Sequence, residues 1–479
     1  MPLRPSLLSL TAAALLSGCV AGPNYVRPTL PVPGAYKEAG DWKPADPRPA
    51  ASGLAWWQAY GDPVLDGLEA DADRANQNIR QAEAAWRQAR ALADADRAGL
   101  FPSLGLNAGA QRARTNANGV RTGDAYSLGL AASWEPDLWG SVRRQVEAGD
   151  AGAQASADDL AAARLSIQTT LAQDYLQLRV ADQQRDLYAS TAEAYGKALK
   201  LTRAQHAAGV ALQSDVALAE AQLAQAQAAA VDIEATRAQL EHAIAVLTGR
   251  APAQFTLAAL PAGQPLALAL PATPAGLPSA LLEHRPDIAA AERRAAAANA
   301  QIGVAKAAYF PQLTLSASGG FSAAALGNLF DTPAHVWSLG AALAQTLFDG
   351  GLRGARTSQA EAAYDVAVAQ YKQTVLGGFQ QVEDQLALLR LLDQEATLQD
   401  QAVRASQQAE RLALAQYRAG TASYLGVVTA QTLSLNNQRS AVQLRGRLVA
   451  ASIALVAATG GGWSATDSTA VAATPAQPQ

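Results

Sequence analysis

"SLGAALAQTLFDGG", residues 338 to 351, has a near-copy in "SLGLAASWEPDLWG", residues 127 to 140, 211 positions upstream. The same offset links Gly209 of "HAAGV" to Gly420 of "YRAGT", and Gly249, closing "AVLTG", to Gly460, closing "VAATG". "LFP" and "YFP", ending at Pro102 and Pro311, lie 209 apart. Landmarks kept in order at near-constant spacing indicate an internal duplication. The period far exceeds the roughly 20–50 residues of solenoid repeats, so each copy is a large supersecondary unit.

The opening stretch alternates. "VWSLGAALAQTL" places Trp337, Leu339, Ala341 and Leu343 on one face, the period-two pattern of a half-apolar strand. "AYSLGLAASW" does the same with Tyr126, Leu128, Leu130 and Trp134, "PSLGLNAGAQ" with Leu104, Leu106 and Ala108, and "PQLTLSASGG" with Leu313 and Leu315. Polar, glycine-containing loops join these strands in pairs, predicting β-hairpins over 103–134 and 312–346.

Around the hairpins the pattern is helical. No proline occurs from Asp137 to Ala251 or from Ala334 to Thr474, and both runs are rich in Ala, Gln and Leu. They predict long helices over 141–208 and 352–418, each reversed at a glycine turn into a shorter helix, 212–248 and 423–459. Phe379, Val382, Leu386 and Leu389, spaced 3, 4, 3, form a coiled-coil seam, matched in the first copy by Gln168, Leu171, Tyr175 and Leu178. A helix over 62–99 precedes the first hairpin, with Asp62 as N-cap and Pro63 at its first position; another starts at Pro286. The two short helices of a copy together match the long one in length, so stacked end to end they would run alongside it. Each copy would then be a rod with a hairpin at one end and a turn at the other.

The expected organisation is a signal peptide (1–18), a Pro-rich strap (19–61), repeat 1 (62–250), a Pro-rich equatorial linker (251–285), repeat 2 (286–463) and a disordered tail (464–479). The N-terminus "MPLRPSLLSLTAAALLSGCV" has an Arg, a short apolar stretch and small residues ending at Cys19, which fits a secretory leader. "LSGC" resembles the bacterial lipobox, making Cys19 a candidate acylated anchor. As the only cysteine it can form no intrachain disulfide. No later stretch offers 18 consecutive apolar residues, so no helical membrane span is expected. The chain is 49% hydrophobic but only 6% aromatic, so its apolar content is largely alanine, suited to closely packed helices. A formal net charge of −4 and the lack of a basic stripe argue against a nucleic-acid partner. His206, His242, His284 and His335 lack metal-ligand spacing, and neither a phosphate-binding loop nor a nucleophile elbow is present, so no enzyme and no cofactor is expected.

Alternating strands of about ten residues match what crosses a bilayer when tilted, and only closed barrels do so. Four strands cannot close alone; three protomers would supply twelve. Phe101, Trp134, Trp139, Tyr309, Phe310 and Phe348 cluster where strands meet helices, while Tyr126, Phe321 and Trp337 fall near the far ends. This suggests two aromatic membrane girdles; the other reading is that these rings cap helix ends in a soluble protein.

Together, "GCVAGPNYVRP", "WWQAYGDPVLDGL", "WEPDLWG", "HRPDIAAAERRAAAANAQIGVAKAAYFPQLTLS", "LFDGG" and the terminal "GGGW" resemble the outer membrane factor family, the TolC-like ducts of tripartite systems, in its lipid-anchored efflux subgroup. The resemblance runs from Cys19 to Trp463. It implies a mainly α fold with a β portion, and a homotrimer with a twelve-stranded outer-membrane β-barrel and a periplasmic α-barrel. It also implies a periplasmic membrane-fusion adaptor and an inner-membrane efflux transporter of the RND type as partners of a passive duct for small amphiphilic compounds. Val20 after the Cys suggests sorting to the outer membrane. The family's functional residues lie at the turn end, where Gly209 and Asp215 match the first tip and Gly420, Tyr424 and Leu425 the second. The family commonly has an Asp four residues after that Leu; here it is Thr429, which cannot form an acidic ring. Asp215 is either a helix N-cap or a source of gate charge, and Leu425 either helix packing or the seal. "HRPD" reads as a helix start with no chemistry. Polypeptide export by the same duct and a non-conducting coiled-coil periplasmic spacer are the rival readings.

Overall fold

The computed structural model describes residues 20–39, 55–116, 121–261, 263 and 284–464. The signal peptide, the Cys19 anchor and nearly all of the expected disordered tail lie outside the described residues, as do most of the equatorial linker and part of the strap. The helices are α1 (Pro63–Ala75), α2 (Gln77–Ala98), α3 (Ser141–Ala207), α4 (Gln213–Leu247), α5 (Pro286–Ala307), α6 (Leu352–Arg418) and α7 (Tyr424–Ala458); the strands are β1 (Ser103–Thr115), β2 (Arg121–Trp134), β3 (Gln312–Ala323) and β4 (His335–Ala344). The chain divides into two units, one drawn from Met1–Leu30, Ala84–Ala157 and Ala290–Gln373, the other from Pro31–Glu83, Asp158–Ala289 and Thr374–Gln479.

The first unit holds a four-stranded antiparallel sheet in the order β1-β2-β3-β4, so the two hairpins lie side by side and β1 and β4 are its edges. Beneath the sheet, Trp139 stacks on Phe310 with centroids 4.8 Å apart and donates its indole N–H to Pro311 O at 2.7 Å. The N-terminal strap is fastened here. Ala21 N donates to Trp139 O (2.9 Å), and buried Arg144 donates to Ala21 O (3.2 Å) and Asn24 Oδ1 (2.9 Å). Tyr25 donates to Glu292 Oε1 at 2.7 Å. Burial and that carboxylate hold the Tyr25 phenol well above its ordinary range.

The second unit is helical. Its core packs Leu65, Leu68 and Ala72 of α1 and Leu171, Tyr175 and Leu178 of α3 against Ile244 of α4 and Ile453 of α7. Leu171, Tyr175 and Leu178 are seam positions read from the heptad spacing, and Val382 and Leu386 of the other copy are likewise buried. Asp62 accepts from Val64 N (2.8 Å) and Leu65 N (3.3 Å), capping α1, and Tyr175 Oη donates to its other oxygen at 2.6 Å. Asp182, almost wholly buried, accepts from Arg179 Nη1 (3.0 Å), Arg237 Nε (2.7 Å) and Leu260 N (3.1 Å), pinning the start of the linker to α3 and α4.

The helix expected over 62–99 is in fact two. Asn76 leaves the helical region (φ −65°, ψ 128°), its side chain accepts from Asn78 N (2.9 Å) and Ile79 N (3.1 Å), and its Nδ2 donates to Leu247 O at 2.8 Å. One asparagine thus caps the start of α2 and satisfies a terminal carbonyl of α4. Gly249 (φ +71°) completes the joint: a Cβ there would lie 2.5 Å from Ala75 O. The second copy uses Arg285, whose Nη1 donates to Ala458 O (3.0 Å) and Gln381 Oε1 (2.8 Å) while Nε pairs with Asp287 Oδ1 (2.9 Å). "HRPD" is therefore an ionic joint built on a buried arginine as well as a helix start. By length and composition α7 is apolar enough to cross a membrane, with mean hydropathy 1.4 in its richest window. Its Val449 and Ile453 nevertheless pack into the helical core, and Ser452 bonds Tyr60 Oη at 3.0 Å.

Candidate functional site: an amphipathic sheet and a paired helical tip

Directly opposed residues of an antiparallel pair share a face, so the register sorts every side chain of the sheet. Leu104, Ala132, Ala317 and Leu339 form one transverse row; Leu106, Leu130, Gly319 and Trp337 form the next; Ala108, Leu128, Phe321 and His335 the third. The intervening rows occupy the other face: Ser103, Ser133, Ser316 and Gly340, then Gly105, Ala131, Ser318 and Ser338, then Asn107, Gly129, Gly320 and Val336. One face is leucine and aromatic, the other serine, glycine and small residues. Leu106 and Leu339 are 70% and 75% exposed, so nothing among the described residues covers the apolar face there. Small residues also let the strands approach closely: a Cβ on Gly320 would meet Leu128 O at 2.3 Å.

Of the residues expected in the girdles, Phe101, Phe348 and Trp337 are 69%, 89% and 70% exposed, while Trp134 and Phe310 are less so. Trp134 donates its indole N–H to Leu100 O at 3.1 Å. Trp139 departs from the expectation: stacked on Phe310 and bonded to Pro311 O, it braces the strand–helix junction and is only partly accessible. Phe330, which the pattern did not flag, packs edge-on to Phe321 with centroids 5.4 Å apart and extends the far aromatic cluster.

The second unit contains both helix reversals. Gly209 (φ +75°) and Gly420 (φ +71°) adopt the left-handed conformation that glycine accepts freely, and Val210 N and Thr421 N close the turns onto Gln205 O (2.8 Å) and Gln416 O (3.0 Å). The reversals pack together through Leu199, Val216, Ala219, Tyr417, Tyr424 and Val427. Tyr417 and Tyr424 lie 5.2 Å apart, and Tyr417 Oη bonds Thr202 Oγ1 at 3.3 Å. Burial, followed by Tyr417 and Asp215 nearby, pushes the Tyr424 phenol up to about 12.

Two assignments change here. Tyr424, expected among the tip, gate and adaptor-contact residues, is 2% exposed and belongs to the packing that locks the two turns together. Asp215, read as either a helix N-cap or a source of gate charge, is not the cap but sits in the first turn of α4: Leu212 is the N-cap, and Asp215 Oδ2 accepts the Leu212 N–H at 3.2 Å. Leu425 points outward, 59% exposed, and Thr429 Oγ1 donates to Leu425 O at 3.0 Å, so the hydroxyl is spent within its own helix. Among the described residues no cluster of His, Cys, Asp or Glu could hold a metal ion.

A sheet of this register joined to long seam-packed helices is the architecture of an outer-membrane channel. The chain matches the family described as "Outer membrane efflux protein" over residues 70–250 and 277–461, and it belongs to that family. It is 30% identical over 475 residues to the toluene efflux pump outer membrane protein TtgF of Pseudomonas putida, covering 96% of this chain and 98% of that one. It is 32% identical over 469 residues to the pyoverdine export outer membrane protein OpmQ of Pseudomonas aeruginosa, covering 95% and 97%. Among solved structures, the outer-membrane channel OprN superposes with a TM-score of 0.87 at 32% identity, over 93% of this chain and all of that one. This protein is accordingly an efflux duct of the bacterial outer membrane.

Proposed function

We propose that three copies of the chain join β4 of one to β1 of the next, closing a twelve-stranded barrel that serves as the exit of a tripartite, RND-type pump for small amphiphilic compounds. The observation that carries this is the sheet register: an apolar face left uncovered, a small polar face behind it and two open edges, which only closure can satisfy in a membrane. The polar face would line the conduit. Cys19 would carry a lipid in the outer membrane, and the Arg144 clamp holds the residues that follow it. The helical part would extend into the periplasm, where a membrane-fusion adaptor docks on the surface of the Gly209–Asp215 and Gly420–Thr429 turns. Gating would rest on Leu425, one of the exposed apolar residues of the tip together with Val210 and Leu212, because Thr429 carries no charge. Relatives named for toluene and for pyoverdine favour small-molecule export over polypeptide secretion, and the uncovered apolar face disfavours a spacer without a pore.

Planar-bilayer recording tests the reading. Wild-type protein should conduct, and Leu425→Gly should raise single-channel conductance or open probability several-fold, as loss of a hydrophobic constriction does. Silent bilayers with both forms would exclude a duct. The channel is passive in this scheme, with energy supplied by the inner-membrane transporter. The purified protein should therefore release no phosphate from ATP above the buffer background, and measurable turnover would contradict it.

A further inference from the structure

The apolar rows of the sheet end abruptly. Beyond the Ala110–Tyr126 pair, the next two outward-facing pairs in the β1–β2 hairpin are Arg112 opposite Asp124 and Arg114 opposite Thr122. Both arginines lie on the leucine-bearing face, because Leu104, Leu106, Ala108, Ala110, Arg112 and Arg114 alternate along one side of β1. From Trp134 to Asp124 the strand advances ten steps, a rise of about 24 Å along the membrane normal at a tilt near 45°. An apolar outer-membrane band is about 25 Å tall. The guanidinium groups thus reach the headgroup level of the outer leaflet as Trp134 reaches the opposite boundary.

Cations on a lipid-facing surface at that level face phosphate. Arg112 is 75% exposed and only 3.6 Å from Asp124, itself 42% exposed, an ion pair weak enough to be shared with an incoming anion. Arg114 is exposed and has Thr122, an uncharged residue, opposite it. Two guanidinium groups two residues apart on one strand stand about 7 Å apart along it, and each can grip a phosphate with paired N–H donors. We propose that Arg112 and Arg114 form a binding site for the phosphate groups of the phosphorylated glycolipid of the outer leaflet, one site on each protomer's outward face. This rests on the barrel reading above, which sets the face and the depth. Asp124 orients Arg112 and keeps the pair from binding anions indiscriminately.

The test uses the full mature protein, purified in detergent and examined by native mass spectrometry with bisphosphorylated lipid A and with the same lipid stripped of phosphate. Wild type should retain the bisphosphorylated lipid, and R112A/R114A should bind it at least about tenfold more weakly, the loss expected for charge-assisted contacts. R112K/R114K should recover part of the difference, and millimolar inorganic phosphate should not displace the lipid. Equal retention by wild type and R112A/R114A, equal retention of the stripped lipid, or displacement by free phosphate would each overturn the site. Should the double variant fail to fold, Arg114→Gln provides the comparison. Conductance recorded on the same preparations separates the failures: channels with unchanged lipid retention sink this site alone, whereas a wild type that never conducts sinks the barrel and this site together.

Discussion

Leu130→Arg is expected to abolish assembly in the outer membrane, while Ala131→Arg, one residue along, should assemble and change the current. Leu130 shares its row with Leu106, Gly319 and Trp337 on the apolar face, about midway between Trp134 and Asp124. An arginine at the lipid-facing midplane of a barrel costs about 2–4 kcal/mol, and a three-chain barrel would carry it three times in one ring. Ala131 pairs with Gly105 and Ser318 among the small polar rows. Its arginine would enter a water-filled lumen, where the cost is small and the visible effect is a reversal potential shifted toward anions. Fractionation for membrane-inserted oligomer, followed by ion-selectivity measurement on the inserted variant, reads both arms. Equal behaviour of the two would mean that the faces are not divided between lipid and water.

That contrast depends on information lying close together in the sequence, which is why it was legible there. Period-two alternation at Leu104–Ala108 and Leu313–Leu315 and the 3, 4, 3 seam at Phe379–Leu389 are fixed by backbone geometry within one element. The duplication then supplied a second copy of each signal. What escaped depends on partners far along the chain. Asn76 looks like an ordinary polar helix residue until the Leu247 carbonyl arrives to accept from it, 171 residues on. Arg144 gives no local sign that it will hold Ala21 and Asn24. The tip was partly readable: glycine announced both reversals, but nothing local distinguishes buried Tyr424 from exposed Leu425, since neighbours on a helix face different ways and the packing of Tyr417 decides which is inside.

Glu69 is the sharpest case, and its replacement by Gln should stabilise the protein in a way that depends on pH. On α1 it stands between Asp66 and Asp73, an acidic run that reads as a solvated helix face. In the folded protein it is fully buried and neither carboxyl oxygen has a hydrogen-bond partner among the described residues. Arg164 of α3 pairs with other carboxylates, lying 3.5 Å from Asp73 and 2.7 Å from Glu83. Burial, reinforced by Asp66 and Asp73, pushes the Glu69 carboxyl up to about 9 from an ordinary value of 4.5. The folded chain therefore keeps this proton across a range in which the unfolded chain releases it. Ionisation then favours the unfolded state progressively as pH climbs from 4.5 toward 9, by about 1.4 kcal/mol per pH unit and about 3 kcal/mol at pH 7. Gln is neutral in both states and escapes that loss. Glu69→Gln should accordingly unfold like the wild type near pH 4 and be more stable by about 3 kcal/mol at pH 7, measured by denaturant titration at fixed detergent concentration. A gap between the two that stays constant from pH 5 to 8 would show that the folded protein holds Glu69 ionised against a positive partner. Neutral burial requires the gap to open with pH, because only the unfolded chain is then gaining a charge.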